Sequence, residues 1–522
     1  MGIFKKASAI LKDNEGFIIK ENKNSIKPEH NSKVSVSKSV DMNLQKIKEF
    51  MHYPAAGDLM LRNFKVRING EEKSAFLFFI DGLVDRTNIG HFVLNPLMHE
   101  SGEIKRDIDE KEYVLQKLVS QNVVSVAKTY FDAITKVCFG ECGLFIDGID
   151  VCFLADVKGW EKRSVGKPST EGVILGPQEG FTELIRANTA MLRKTIKDPD
   201  LVMENISVGK KSQTPCVISY ITSIANPDLV AEVKERIKKI DVDYLFTSDE
   251  LANFLEESNL KLMPQILLTE RPDRTAMELV DGNVAILVNG SPFALIMPVT
   301  FFSFMKTTDN NYMRLPYANL LSVVRYLAMI ISVVLPALFI VVTNFHHEMI
   351  PTDLLYALES SFEKTPFPTV FELVILEIAF ELIREAVIKF PSIGGPSIGI
   401  VGALVLGQAA VSANIVSPII IIIVAATAVG SLSTPNYSFG MSLRIMKFVY
   451  IFFAYFAGFI GFSACLFMHF AAMCTTKSFG VRYFSSASPK TRENALKNIF
   501  ITRDYKKTSK PDYVNSKGDN DK

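Results

Sequence analysis

The most informative absence in this sequence of 522 residues is a long stretch without charge. Residues 391–443 contain no Asp, Glu, Lys or Arg, and a soluble fold has few ways to hide such a run from water. We therefore expect this stretch to be embedded in a membrane. The net charge is also close to zero, because the chain has 57 basic and 56 acidic residues. The balance gives no reason to expect nucleic acid as a partner.

Cysteine is sparse and unevenly spaced, which excludes a disulfide scaffold. The N-terminus has no charged and then apolar signal segment, so we expect the N-terminal half to stay in a reducing cytosol. Cys138 and Cys142 resemble half of a metal site, but no second Cys or His pair lies nearby in the sequence. Buried thiols are the better interpretation.

Composition divides the chain into four parts. Residues 1–40 are rich in Lys, Ser and Asn without a sustained period, which predicts a disordered, basic and polar tail. Residues 41–317 alternate helical patterns with short β-branched or aromatic runs, which predicts a cytosolic α/β region of two subdomains. Residues 318–474 form the predicted helical membrane domain. Residues 475–522 carry eleven Lys or Arg against five Asp or Glu, as expected of a cytosolic tail.

Three runs in the α/β region carry a hairpin signal. Residues 76–84, 143–155 and 284–299 each contain Asp-Gly or Asn-Gly between apolar stretches. Both residues of such a pair accept positive φ, as the tight turns of hairpins require. We predict a β-hairpin at each of the three.

Five apolar segments follow, at residues 320–342, 370–390, 393–413, 415–432 and 448–473. The first, fourth and fifth have the length of plain spanning helices. The third is a span or part of a re-entrant pair. Its glycines permit close helix packing, and the candidates are Gly394, Gly395, Gly399, Gly402 and Gly407.

Both ends of the chain are expected in the cytoplasm, which requires an even number of membrane crossings. One of the five segments should therefore fail to cross fully, and the charged segment 370–390 is the obvious candidate. The prediction is about four spanning helices plus one amphipathic or re-entrant segment.

The charged segment reads VFELVILEIAFELIREAVIKF. On a helix, Glu377, Glu381, Arg384 and Glu385 fall within one arc, whereas Glu372 points elsewhere. Ionisable groups at membrane depth face a bundle interior or a water-filled path. Two interpretations stay open. The arc is either a structural network in which Arg384 neutralises Glu381, or an acidic lining that favours cations along the pore of a symmetric oligomer. Three acids against one base mildly favour the pore.

Seven stretches, in the same order, resemble the A subunits of GerA-type spore germinant receptors. They cover most of the chain between residues 75 and 475, and as an ordered set they are highly specific. They are FIDGLVDR (79–86), EGVILGPQEGF (171–181), SYITSIANPDLVAEVKERI (219–237), LLTERPDR (267–274), VAILVNGSPFALIMPVTF (284–301), FELIREA (380–386) and SIGIVGALVLGQAAVSANIVSP (397–418).

The resemblance implies a two-part cytosolic domain and a multi-pass bundle in the inner membrane of the bacterial spore. It implies assembly with a transporter-like B subunit that binds the germinant and with a lipoprotein C subunit. It also implies contact with membrane lipid, and oligomerisation of this chain into a germinant-gated cation channel. The FELIREA match places Glu381, Arg384 and Glu385 on the membrane helix.

Some residues depart from the family pattern, namely Leu175, Gln178, Asn289 and the stretch FMKTTDNNYMRLP (304–316). They leave open the related stage V sporulation subunit, which amplifies ion release. A non-conducting scaffold that organises germination proteins is the alternative of a different class.

No catalytic constellation is found in the sequence. Residues 166–170 and 209–214 superficially resemble a phosphate loop, but neither has a Gly five residues before its Gly-Lys pair. His346 and His347 precede Glu348. Adjacent residues project apart on a helix, so these side chains would hold a metal only with ligands from elsewhere in the chain. We expect a protein that is not an enzyme and uses no metal or cofactor.

Overall fold

The computed structural model describes residues 34–68, 71–99, 110–115, 124–159, 166–168, 170–257, 262–389, 405, 407–485 and 500. They form an α/β N-terminal region with two sheets, followed by a helical C-terminal part. The predicted two-part α/β region is thereby confirmed. The arrangement follows from the apolar pattern, since each sheet has two faces that helices must cover.

The first sheet is antiparallel, with strand order β1-β2-β4-β5-β3. Its strands are β1 (Leu59–Ile68), β2 (Glu71–Ile80), β3 (Val124–Ala127), β4 (Glu141–Ile146) and β5 (Cys152–Asp156). The accompanying helices are α1 (Val40–Phe50), α2 (Arg86–Asn88), a π-helix (Ile89–Leu94), α3 (Asn95–His99), α4 (Glu110–Tyr113) and α5 (Tyr130–Cys138). Separate apolar clusters cover the two faces of this sheet.

The second sheet is also antiparallel, with order β6-β7-β9-β10-β8. Its strands are β6 (Leu201–Val208), β7 (Thr214–Ile221), β8 (Leu267–Thr269), β9 (Val284–Val288) and β10 (Ala294–Met297). Its helices are α6 (Ile185–Thr195), α7 (Pro227–Lys238), α8 (Ser248–Leu255) and α9 (Pro272–Val280). Helix α7 begins where the sequence suggests, because the Asn226 side chain accepts from the Asp228 N–H at 3.0 Å and Pro227 opens the helix.

Two of the three predicted hairpins are confirmed. Strands β4 and β5 pair antiparallel, and so do β9 and β10. The hairpin predicted at residues 76–84 is wrong, because β2 ends at Ile80 and the Asp85 side chain caps α2. The Asn-Gly pair at residues 69–70 separates β1 from β2, whose register places Ile68 opposite Glu71.

The two sheets are joined through a buried ion pair. Arg193 of α6 donates to both carboxylate oxygens of Asp58, at 2.7 and 3.0 Å, and both side chains are about fully buried. The Gly57 N–H donates to the Met203 carbonyl at 2.9 Å, which fixes the start of β1 against β6.

The helical part begins after two short helices, α10 (Phe301–Met305) and α11 (Asp309–Tyr312). It contains α12 (Leu315–Phe345), a 3₁₀ turn (His347–Met349), α13 (Thr352–Phe362), α14 (Thr369–Lys389), α15 (Pro418–Leu432) and α16 (Tyr437–Thr475). In the described ranges two helices, α12 and α16, are long and apolar enough to cross a membrane, while α15 is apolar but has 15 residues.

Helix α16 is a hairpin of two antiparallel arms. Gly458 has φ 56° and ψ −136°, which breaks the helix. The Tyr450 hydroxyl lies 3.0 Å from Nδ1 of His469, although 19 residues of straight helix would separate the two by about 28 Å. The prediction of one plain spanning helix at residues 448–473 is therefore wrong.

Both ends of this hairpin lie near the segment that precedes β8 of the second sheet. Ser442 of the first arm donates to the Leu262 carbonyl, and Ser478 donates to the Gln265 carbonyl at 2.6 Å. At the opposite end, a Cβ built on Gly458 would lie 3.0 Å from the ring of Phe345, the last residue of α12. The hairpin thus begins and ends near the second sheet, and its turn lies beside the end of α12.

The ordered structure extends into both predicted tails. Val36 is buried and donates its N–H to the Lys128 carbonyl at 3.0 Å. After α16, β11 (Lys477–Ser478) and β12 (Val481–Arg482) pair, and the Tyr483 carbonyl accepts from the Phe301 N–H at 2.8 Å. Residues 34–40 and 475–485 therefore belong to the folded body, in contrast to the tails expected from composition.

Candidate functional site

The charged helix α14 packs beside α15 and reaches the first arm of α16 through charged side chains. At its start, the Glu372 carboxylate accepts from the Ser417 N–H at 2.8 Å, where α15 begins. Further along, Arg384 donates to the Ser431 hydroxyl at 2.6 Å, near the end of α15. The two helices therefore run parallel. Glu372 is buried and caps the N-terminus of α15, where the helix dipole favours a negative charge.

Glu377 forms the buried end of the ion-pair network. Its carboxylate accepts from the Lys447 ammonium, and the side chains of Glu377 and Lys447 are 0% and 3% exposed. Taking two such charges out of water is costly, and their mutual attraction offsets the cost only while both stay in place. This pair fixes the first arm of α16 against α14.

Glu381 joins the buried pair to the surface. Its carboxylate oxygens lie 3.4 Å from Arg384, 3.4 Å from Arg444 and 3.7 Å from Lys447. With Glu377 and Glu385, the site holds three acids and three bases. The excess of acid expected from the sequence is thereby neutralised within one chain.

Sequence reasoning missed Arg444 and Lys447 because they lie more than sixty positions from the acids they pair with. A signal was present nonetheless. They are the first two charged residues after the charge-free stretch, and their i, i+3 spacing places them on one helix face. An apolar arm with two such bases needs acidic partners on a neighbouring helix.

The far end of the network opens into a groove of about 450 Å³. Its charged lining comes from Glu381, Arg384, Glu385 and Arg444, and its apolar lining comes from Ile378, Leu382, Tyr437, Met441, Ile445 and Phe448. Glu385 is exposed there, and the Arg444 guanidinium lies 5.8 Å from the Tyr437 ring centroid. The site thus has a buried end at Glu377 and an open end at Glu385.

Of the predicted packing glycines, Gly394, Gly395, Gly399 and Gly402 lie outside the described residues. At Gly407 the nearest atom to a built Cβ is Cδ1 of Ile421 at 4.0 Å, so a methyl group has room. The close helix contact lies instead at Gly430, where a Cβ would be 2.7 Å from the Ala328 carbonyl oxygen of α12.

Among the described residues, no group of three or more His, Cys, Asp or Glu side chains is placed to hold a metal ion. Cys138 and Cys142 are buried in the first subdomain. Burial raises the pKa of Cys138 to about 11 and the pKa of Cys142 to about 12, so both remain neutral thiols near pH 7.

Residues 45–513 match the family described as the Bacillus/Clostridium GerA spore germination protein. The chain belongs to the GerA family. It is 34% identical over 483 residues to spore germination protein KA of Bacillus subtilis strain 168, covering 92% of this chain and 88% of the relative. It is 33% identical over 460 residues to spore germination protein GerLA of Bacillus cereus, covering 88% and 93%.

A solved structure is also similar to this GerA-family chain. It is the N-terminal domain of the A subunit of the Bacillus megaterium spore germinant receptor GerK3, at 29% identity and a TM-score of 0.37. The match covers 51% of this chain and 97% of that one. Three of the curated relatives are named spore germination proteins, which agrees with the resemblance drawn from the motifs.

Proposed function

We propose that this chain is the A-type membrane subunit of a spore germinant receptor. Its membership of the GerA family and the names of its relatives support the role. The chain lies in the spore inner membrane as a multi-pass protein, with its N- and C-terminal regions in the cytoplasm. It assembles with a transporter-like B subunit that binds the germinant and with a lipoprotein C subunit.

In this proposal several copies of the chain form a germinant-gated cation channel. The observation that carries it is the open end of the ion-pair network, where Glu381 and Glu385 line a groove beside Arg384 and Arg444. Carboxylates that line a wet path favour cations. The buried pair of Glu377 and Lys447 holds the helices in register and lies away from the ions.

The arrangement supplies a means of gating. Arg444 and Lys447 both belong to the first arm of α16, and both contact Glu381. Movement of Arg444 away from Glu381, with the Glu377–Lys447 pair kept, removes one base and leaves Glu381 and Glu385 opposite Arg384 alone in the groove. Germinant binding in the partner then needs only to favour the separated arrangement.

The alternative is a scaffold subunit that does not conduct. One observation favours it, because three bases balance three acids within a single chain, as expected of a charge network that holds helices together. A scaffold tolerates neutral replacements on the groove as long as the complex assembles.

The test is germinant-triggered potassium release from spores that carry Glu381→Gln. We expect slower release at native receptor abundance, because the change removes the carboxylate that both faces the groove and pairs with the moving arm. Glu363→Gln is the matched control, since Glu363 is exposed at the end of α13 and lies outside the groove.

Receptor levels are matched by immunoblot before release is compared. Release from Glu381→Gln spores that equals release from native spores would favour the scaffold. Release slowed equally by both variants would mean that Glu381 has no particular role.

A further inference from the structure

A second cavity, of about 340 Å³, lies between the two arms of α16 and the segment that contains Leu262. Its lining is unusual in composition. Every side chain in it that offers a nitrogen or sulfur atom is soft or borderline as a metal ligand, and no carboxylate is present. Those side chains are Met263, Met446, Cys465, Met468, His469 and Met473.

One ring nitrogen of His469 has a hydrogen-bond partner and the other has none among the described residues. Its Nδ1 is 3.0 Å from the Tyr450 hydroxyl, which fixes the ring. Its Nε2 is shielded from solvent and has no hydrogen-bond partner in the part of the chain that the structure describes. Histidine ligands commonly bind a metal through one ring nitrogen while the other is held by a hydrogen bond.

Three of these side chains lie on one face of the second arm. Cys465, His469 and Met473 are spaced i, i+4 and i+8, so they follow one another along one side of the helix. Cys465 is 3% exposed and Met473 is 5% exposed. Met446 lines the cavity from the opposite arm, and Met263 lines it from the region of the second sheet.

We propose that this cavity is a binding site for a soft monovalent metal ion, Cu(I) or Ag(I). His469 Nε2, the Cys465 sulfur and thioethers of the lining methionines are the ligands. Thiolate and thioether ligands select Cu(I) over harder ions, and the Cys465 thiol releases its proton on binding. Methionine has three rotatable bonds, so these side chains can turn inward and close the cavity around one ion.

Occupancy would tie Met263 to both arms of α16. The ion would therefore link the segment before β8 to the hairpin that carries Arg444 and Lys447. The proposal concerns metal binding itself and stands whether or not the chain conducts cations.

The test is Cu(I) affinity of the purified full chain in detergent micelles, measured by competition with bicinchoninate. All samples carry Cys474→Ser, because Cys474 is an exposed thiol beside the site. We expect one tightly held Cu(I) per chain, and at least a tenfold weaker affinity in Met446→Leu/Met473→Leu. That double variant conserves side-chain volume while removing two sulfur ligands.

Met441→Leu is the matched control, since Met441 lines the groove at α14 and not this cavity. The Cu(I) affinity of this variant should equal that of the parent. X-ray absorption of the copper-loaded parent should show both sulfur and nitrogen bound to copper, and it needs no variant. Equal affinity of the parent and the double variant, or copper bound without nitrogen, would overturn the proposal.

Discussion

At the scale of single residues, Lys447 has the strongest influence on the charge network. It contacts Glu377 and Glu381 together, and with Arg444 it is one of two charged residues in an apolar arm. The helical period of the sequence was enough to place Glu377, Glu381, Arg384 and Glu385 in one arc. It could not supply Arg444 and Lys447, because a one-dimensional pattern does not say which distant helix packs against that arc.

Replacing Lys447 with Met should destabilise the protein severely. The change leaves Glu377 as a buried carboxylate without its base, and removing one partner of a buried pair costs about 3–5 kcal/mol. We expect a lower midpoint of thermal unfolding in detergent micelles and a lower abundance in the membrane.

The double variant Glu377→Gln/Lys447→Met serves as the control. It removes both charges, so it should recover most of the stability lost in the single variant. A single variant as stable as the native chain would mean that the pair does not hold α14 against α16.

At the scale of elements, the reversal at Gly458 is the feature that the sequence hides best. Length and hydropathy predict a spanning helix for residues 448–473, because Gly458 stands in an apolar run without the Pro, Asn or Asp that usually marks a turn. The structure replaces one long helix with two arms whose pairing is set by contacts such as Tyr450 with His469.

Spin labels at Ile445 and Phe470 test this hairpin. Both side chains are exposed, and 25 residues of straight helix would separate their backbones by about 38 Å. Paired arms pack with axes about 8–10 Å apart, so the hairpin predicts a label-to-label distance below about 20 Å. A distance near the straight-helix value, measured by double electron–electron resonance, would refute the hairpin.

Two glycines make a matched test of helix packing. Gly430→Ala should lower the midpoint of thermal unfolding, because its Cβ would lie 2.7 Å from the Ala328 carbonyl oxygen, and overpacking costs about 1–3 kcal/mol. Gly407→Ala has room for the methyl group, so it should be neutral or slightly stabilising. Equal effects of the two changes would mean that α12 and α15 do not cross closely at Gly430.

At the scale of the whole molecule, the α/β region and the helical part share one core. The face of the second sheet that carries α6 and α9 belongs to the same apolar cluster as residues of α12, α14, α15 and α16. Arg274 strengthens this junction by donating to the Ser303 carbonyl at 3.0 Å and the Lys306 carbonyl at 3.2 Å, within and directly after α10. A shift of the helices would therefore change the packing against the second sheet.

The order of the parts could be predicted from the sequence, because composition changes sharply where the apolar segments begin. The two α/β subdomains follow from alternating patterns of known period. The shared core and the ordered residues 475–485 could not be predicted, since they depend on contacts between segments that are far apart in the chain. Tyr483 illustrates this, as it is fully buried although it lies in a region that reads as a basic tail.

The measurement that tests the central claim most directly is potassium release from spores with graded charge at Glu385. Glu385 is exposed on the groove, so Glu385→Gln and Glu385→Lys should leave the fold intact, and Leu382→Gln is a neutral control on the same groove. At equal receptor abundance, a cation path predicts release that slows from Glu to Gln to Lys, with Leu382→Gln close to native. Release that is the same for all three side chains at position 385 would contradict conduction along this groove.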